Sequence, residues 1–283
     1  MTIGIGVLCS TRGLLPDAIV LISDSMGSTE TDSTNVLSKM FTRGNVHGVA
    51  ADSVSVAAEL FYAIATQIES LQAPKEHGKI WKAINLAVNG VRSEKFLWQV
   101  LRNEHVIENE HMGRVFQSDN DKIQEAWSRY YIGATLLIGT FDDEGQALLY
   151  YVGALEGAPG LVHFMQFPGH CSIGMGLQNA DAWLNYRQQA LNLGVKQSLY
   201  HAYEASRMAA SAPSVNREIE ITIALKDDHS YFGKDRSYPG RYMTSIVELE
   251  GMYRAYGPQD TSGISLSFTE ASPANPHFTE ADP

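Results

Sequence analysis

Cysteine is scarce in this chain of 283 residues: there are two, Cys9 and Cys171. Two cysteines cannot build a disulfide framework, and so low a count suits a reducing compartment. Cys171 has no sequence partner that would mark a reactive thiolate. Basic residues are outnumbered, 21 Lys and Arg against 32 Asp and Glu, a formal charge of −11. That balance argues against nucleic acid as a partner, because phosphate attraction needs clustered cations. No apolar run approaches the roughly 20 residues of a membrane-spanning helix, so no membrane association is expected. The N-terminus lacks a basic region, an apolar stretch and a small-residue cleavage site in succession, so no signal peptide is expected and the location is read as cytoplasmic. Short-period internal repeats are missing as well. Neither G-x-S-x-G nor H-E-x-x-H occurs. His105 and His111 fall on different sides of a helix, and His163 and His170 flank a loop containing Pro168. No metal and no other cofactor is expected.

What is present is a globular composition, 44% hydrophobic and 19% charged, with a real core. The length allows one large or two small domains. The first fifty residues read TIGIGVLC, a turn at STRGLLPD, AIVLISDS, a polar loop, then LSKMFTRGNVHGVAAD. These are three apolar, β-rich runs punctuated by Gly, Pro and Asp. SVSVAAELFYAIATQIESL then places Val56, Leu60, Ala63, Ile64, Gln67, Ile68 and Leu71 at helical spacing, with Ser53 available as N-cap. Pro74 and Gly78 interrupt before a second helix striped by Ile80, Ile84, Val88 and Val91.

A polar, charged stretch at about 102–129 reads as an insertion, partly helical. YIGATLLIGTF and QALLYYVGA form a hairpin around DDEG, with Gly145 supplying the turn. LVHFMQFPGHCSIGMG leads into a helix starting at Leu177. A further amphipathic helix carries Val195, Leu199, Ala202, Tyr203 and Ser206, and NREIEITIALKDD is a closing strand. YMTSIVELEGMYRAYG reads as one more helix. The domain is expected to span 1–250, and 251–283 to form an acidic tail rich in Ser, Thr and Pro. From Gly257 onward, such a tail buries too little apolar surface to offset its ordering entropy.

Three polar residues stand out by position: Thr2 opens the first run, Asp24 closes the second, Lys39 opens the third. With Met1 removed, Thr2 carries a free amine beside its own hydroxyl, one of the few bases that can sit on the nucleophile's own residue. A lysine would help activate the hydroxyl, and a carboxylate would orient the lysine. On spacing alone, solvated strand ends are the stronger reading. Gly174-Met175-Gly176, between a strand and a helix, lacks the third glycine of a dinucleotide fingerprint.

The segment resembles the start of proteasome β-type subunits and their bacterial relatives, the N-terminal nucleophile hydrolases. The likeness rests on Thr2, on Ile22-Ser23-Asp24-Ser25, and on Lys39-Met40-Phe41 through Gly48-Val49-Ala50, with Asp24 and Lys39 fifteen residues apart. The order ββ–αα–ββ–αα–β over about 2–228 matches that family. It implies an α+β fold, a four-layer αββα sandwich. It further implies a threonine-type peptidase with Thr2, Asp24 and Lys39 as catalytic residues, and a backbone N–H of Ala51 or Asp52 serving the oxyanion. A homo-oligomeric ring or ring stack, peptide or protein substrates, and an ATPase or adaptor as a candidate partner follow from the same likeness. Large apolar residues (Phe96, Leu97, Trp98, Leu101, Trp127, Tyr130 and Tyr131) are expected to contribute to its interfaces.

Three departures from the family pattern accompany the likeness. Met175 stands where the family's G-S-G loop has serine. No Asp occurs in 209–214, where the family carries D-x-x-S-G, although Ser211 or Ser214 falls near the family's serine. Ala51-Asp52 replaces a glycine. These departures keep two other readings open, a catalytically degenerate structural subunit and a non-peptidase amidohydrolase of the same superfamily.

Overall fold

A computed structural model describes residues 3–13, 15–24, 38–97, 127–155, 158–212, 215, 217–232, 237–238 and 244–256. Strands β1 (Ile3–Cys9), β2 (Ala18–Asp24), β3 (Met40–Arg43) and β4 (Val46–Asp52) precede helices α1 (Val54–Glu69) and α2 (His77–Phe96). Strands β5 (Ala134–Phe141), β6 (Ala147–Leu155), β7 (Ala158–Phe164) and β8 (His170–Gly174) follow. Next come α3 (Leu177–Tyr186), α4 (Val195–Ala209), β9 (Ile219–Leu225), β10 (Asp228–Phe232), β11 (Ser237–Tyr238) and α5 (Ile246–Tyr256). The fold is α+β with two antiparallel sheets. One runs β11-β10-β9-β2-β1-β8, the other β3-β4-β5-β6-β7.

β1 and β2 are buried along their whole length because both faces are covered. Ile3, Ile5, Val7 and Cys9 join Val20, Ile22, Leu199, Tyr203 and Ile221 in a cluster under α3, α4 and α5. Leu8, Ile19 and Leu21 turn the other way, toward Val49, Leu137 and Leu149 of the second sheet. The IGIG pattern follows from this alternation. A Cβ on Gly4 would stand 3.1 Å from Val49 and one on Gly6 2.9 Å from Leu149, so the second sheet lies too close to β1 at these two positions for a side chain to fit freely. The outer face of the second sheet supports α1 and α2 through Leu60, Phe61, Ile64, Ile80, Ile84 and Val88. Each such fully buried side chain contributes about 1.5–3 kcal/mol.

Several local readings change. The third run is a hairpin rather than one strand, because Gly44 (φ 53°) turns the chain between β3 and β4. The run after the β5–β6 hairpin splits into β7 and β8, which belong to different sheets, with the crossing at residues 165–169. The buried stripe of α1 is Ala57, Leu60, Phe61, Ile64, Ala65 and Ile68, so Val56 and Ala63 only flank it. Ser53 takes the N-cap position, but its hydroxyl meets Ser55 Oγ rather than a backbone amide.

Phe96 is buried, with Trp127 and Tyr130 against its ring edge, so these three pack internally. Among the described members of that expected set, Leu97 and Tyr131 are exposed. The expected boundary at 250 falls inside α5. Trp98, Leu101, residues 98–126 of the insertion region and the tail from 257 lie outside the described residues, as do Thr2 and Ser214. Among the described residues no helix is long and apolar enough to cross a membrane.

Candidate active site

β2 ends on Asp24 and β3 is preceded by Lys39, and the fold brings the two together. Lys39 Nζ donates to Asp24 Oδ1 at 2.9 Å, with the side chains 2% and 0% exposed. The same oxygen accepts the backbone N–H of Ile3 at 3.1 Å, the peptide nitrogen that follows Thr2. Burial pulls the Lys39 ammonium below the usual lysine range, while Asp24 and then Glu220 oppose that shift. An ion pair taken out of water contributes little net stability, because desolvation offsets the attraction. Its place at the start of β1 therefore calls for another reason.

Glu220 joins this corner without having been expected there. It pairs with Ser23 across β9 and β2, is 8% exposed, and accepts from Ser38 Oγ at 2.9 Å. A lone acid inside the apolar strand Ile219–Leu225 was its available signal.

The end of β4 lies at the same end of the two sheets. Along β1 from Gly4 to Leu8, the facing residues run from Val49 and Leu137 toward Gly139, which meets Ile19 opposite Leu8. Ala51, Asp52 and Thr135 therefore lie at the end where β1 begins. Asp52 adopts φ 68°, a left-handed conformation costing a non-glycine residue roughly 1–2 kcal/mol, although Asp tolerates it better than most. Its Oδ2 accepts from Tyr131 OH at 2.5 Å and from Thr135 Oγ1 at 3.0 Å. Burial, followed by the Asp52 contact, raises the Tyr131 phenol well above the usual range, so it remains a donor. Neither partner was anticipated: Tyr131 reads as an apolar surface residue and Thr135 as an ordinary strand position.

Ile3 also pairs with Gly174 of β8, so Met175 emerges beside the start of β1, 56% exposed. A Cβ on Gly176 would stand 2.7 Å from the Ala209 Cβ, which seats the start of α3 against the end of α4. Ser211 is thereby brought close: its Oγ donates to Met208 O at 2.6 Å and accepts from Asn179 Nδ2 at 3.2 Å. Further along α3, Asp181 sits beside Ser172, burial raises its pKa, and its Oδ1 has no hydrogen-bond partner among the described residues.

Asp24, Lys39, Ala51, Asp52, Met175 and Ser211 thus gather at one end of the two sheets. Among the described residues no group of three or more His, Cys, Asp or Glu side chains is placed to hold a metal ion. Burial pushes the Cys171 thiol up to about 12, which removes it as a thiolate nucleophile near neutral pH. No protein-family model matches the chain, and a search of the curated proteins finds no match.

Proposed function

We propose that the two sheets and their helices form the four-layer αββα sandwich of the N-terminal nucleophile hydrolases, and that the chain is a proteasome-like threonine-type peptidase. The observation that carries this reading is the buried Lys39–Asp24 pair, whose shared oxygen also holds the nitrogen of Ile3. A buried ion pair tied to the first described residue of the chain has an evident use if the residue before it reacts.

In the proposed reaction Thr2 Oγ gives its proton to the chain's own α-amine and forms a bond to the substrate carbonyl carbon. The carbonyl oxygen becomes an oxyanion. As the C–N bond breaks, the α-ammonium returns the proton to the leaving amine, and water then hydrolyses the Thr2 ester. Lys39 favours loss of the Thr2 proton, and Asp24 keeps Lys39 in place.

Strand alternation favours one of the two expected oxyanion donors. Ser53 N bonds Gly133 O, so the register places Ala51 N toward Thr135 on β5. Ala50 N bonds Lys39 O, so Asp52 N faces the same side as Lys39. The Asp52 N–H is the donor assigned here.

The proposed assembly is a cytosolic homo-oligomer, a ring or ring stack enclosing the sites, with peptide or protein substrates and an ATPase or adaptor as candidate partner. Exposed Tyr62 on α1 and Trp81 and Leu86 on α2 support an interface on the outer helix pair. Both cysteines are free, as a reducing compartment requires. Light scattering coupled to size exclusion tests the assembly, since a mass near the 31.1 kDa of one chain would remove it. Intact mass of the purified protein tests the chemistry: the reading expects Met1 absent, and a retained Met1 blocks the amine that the mechanism uses.

A second reading is a degenerate structural subunit. Exposed Met175 offers no hydroxyl, and the Ser211 hydroxyl is already bonded to Met208 and Asn179. That reading predicts the same assembly with no peptide hydrolysis.

A further inference from the structure

Asp52 is an unusual residue for the end of β4. Its φ of 68° is the conformation glycine adopts most readily, and its carboxylate brings a negative charge to the end of the sandwich that holds Lys39. A carboxylate near a developing oxyanion would oppose the charge that the site must stabilise. Two contacts answer both difficulties. Tyr131 OH and Thr135 Oγ1 donate to the same oxygen, Oδ2, and lie 3.2 Å from each other. Thr135 belongs to β5 and Tyr131 leads into it, so the carboxylate is drawn toward β5. The N–H of the same residue faces the opposite side, toward β3 and Lys39, by the alternation that sends Ala50 N to Lys39 O. The corner is closed a second time by Ser53 N donating to Gly133 O at 3.1 Å, where Gly133 itself has φ 78°.

We infer that Tyr131 and Thr135 are positioning residues for the oxyanion donor: they hold the Asp52 carboxylate on the β5 side and so keep the Asp52 N–H aimed at the reacting carbonyl. The inference rests on the hydrolase reading and adds two residues to it. Both act through Asp52, by fixing a left-handed backbone that an aspartate would otherwise leave and by neutralising its charge locally. The arrangement does with a side-chain clamp what a glycine would do by lacking a Cβ.

The test is a double-mutant comparison read in kinetics and in stability. Tyr131→Phe and Thr135→Val should each lower kcat for a peptide substrate by about tenfold, a part of the roughly 10²–10³-fold that loss of one oxyanion donor costs. KM should change by less than about twofold, because ground-state binding does not use the donor. The decisive variant is Tyr131→Phe placed on Asp52→Gly. Glycine takes the left-handed conformation without a clamp and has no carboxylate to hold, so kcat should then match that of Asp52→Gly alone. The urea midpoint should show the same non-additivity.

An equal kcat loss from Tyr131→Phe in both backgrounds overturns the inference while leaving the hydrolase reading standing, as does an effect confined to KM. Hydrolysis absent from the wild-type chain overturns the hydrolase reading, and the catalytic role of the clamp with it.

Discussion

Lys39 Nζ and Asp24 Oδ1 stand 2.9 Å apart with almost no solvent on either side chain. Removing one partner of such a pair leaves the other charge buried and uncompensated, which costs about 3–5 kcal/mol. Asp24→Ala should therefore destabilise the fold by about 3 kcal/mol or more, since it also frees the Ile3 N–H. Lys39→Met should cost less, because Asp24 keeps that backbone donor. Urea denaturation of the two variants checks the order, and a larger loss for Lys39→Met would contradict it.

His47 is buried on β4, with Thr42 Oγ1 3.2 Å from its Nδ1 and His229 packed near its ring. Burial, followed by repulsion from His229, holds its pKa at about 3, against 6.5 for the free side chain. The unfolded chain therefore binds a proton between pH 6.5 and 3 that the folded chain does not. Stability is full above pH 6.5 and falls as the pH drops through that window, by at most about 1.4 kcal/mol per pH unit from this group. His47→Gln should flatten the slope by that amount in urea midpoints taken at pH 7, 6 and 5. An unchanged slope would show that His47 is not buried as a neutral ring.

Gly176 has an ordinary backbone conformation, φ −90°, so its role is space. Gly176→Ala would set a Cβ 2.7 Å from Ala209 Cβ and 3.1 Å from Ala209 O, wedging α3 from α4. A loss of about 1–3 kcal/mol is expected, the usual cost of overpacking. The Arg187–Glu204 ion pair, which joins the same two helices at 2.7 Å, should remain, so the helices separate at one end only. Thermal unfolding measures the loss, and a variant as stable as the wild type would mean that the α3–α4 junction yields freely.

The apolar runs of β1, β2 and β9 and the stripes of α2 and α4 were legible because run composition and helical period are both local. The hairpin at Gly44 was less so, since TRGN reads equally as an irregularity within one strand. The split between β7 and β8 depends on which sheet each half joins, a long-range choice that no local period encodes.

Within the candidate site, Asp24 and Lys39 stood out at strand ends, and the family resemblance singled them out as candidates. Glu220 and Asp181 come close only through strand pairing and helix packing. The sequence poses Asp52 as a carboxylate opposed to its own backbone donor. In the proposed site that opposition is met by the contacts from Tyr131 and Thr135 to the Asp52 carboxylate, residues remote from it in the chain.

The most direct measurement is the rate of peptide hydrolysis by Thr2→Ala beside the wild-type protein, both confirmed as folded and equally assembled. Loss of the hydroxyl removes the nucleophile and nothing else in the proposed chemistry. Hydrolysis by the wild type should be readily measured, and by Thr2→Ala it should fall to background. Undiminished hydrolysis by Thr2→Ala would contradict the mechanism and place the reactive group elsewhere in the chain.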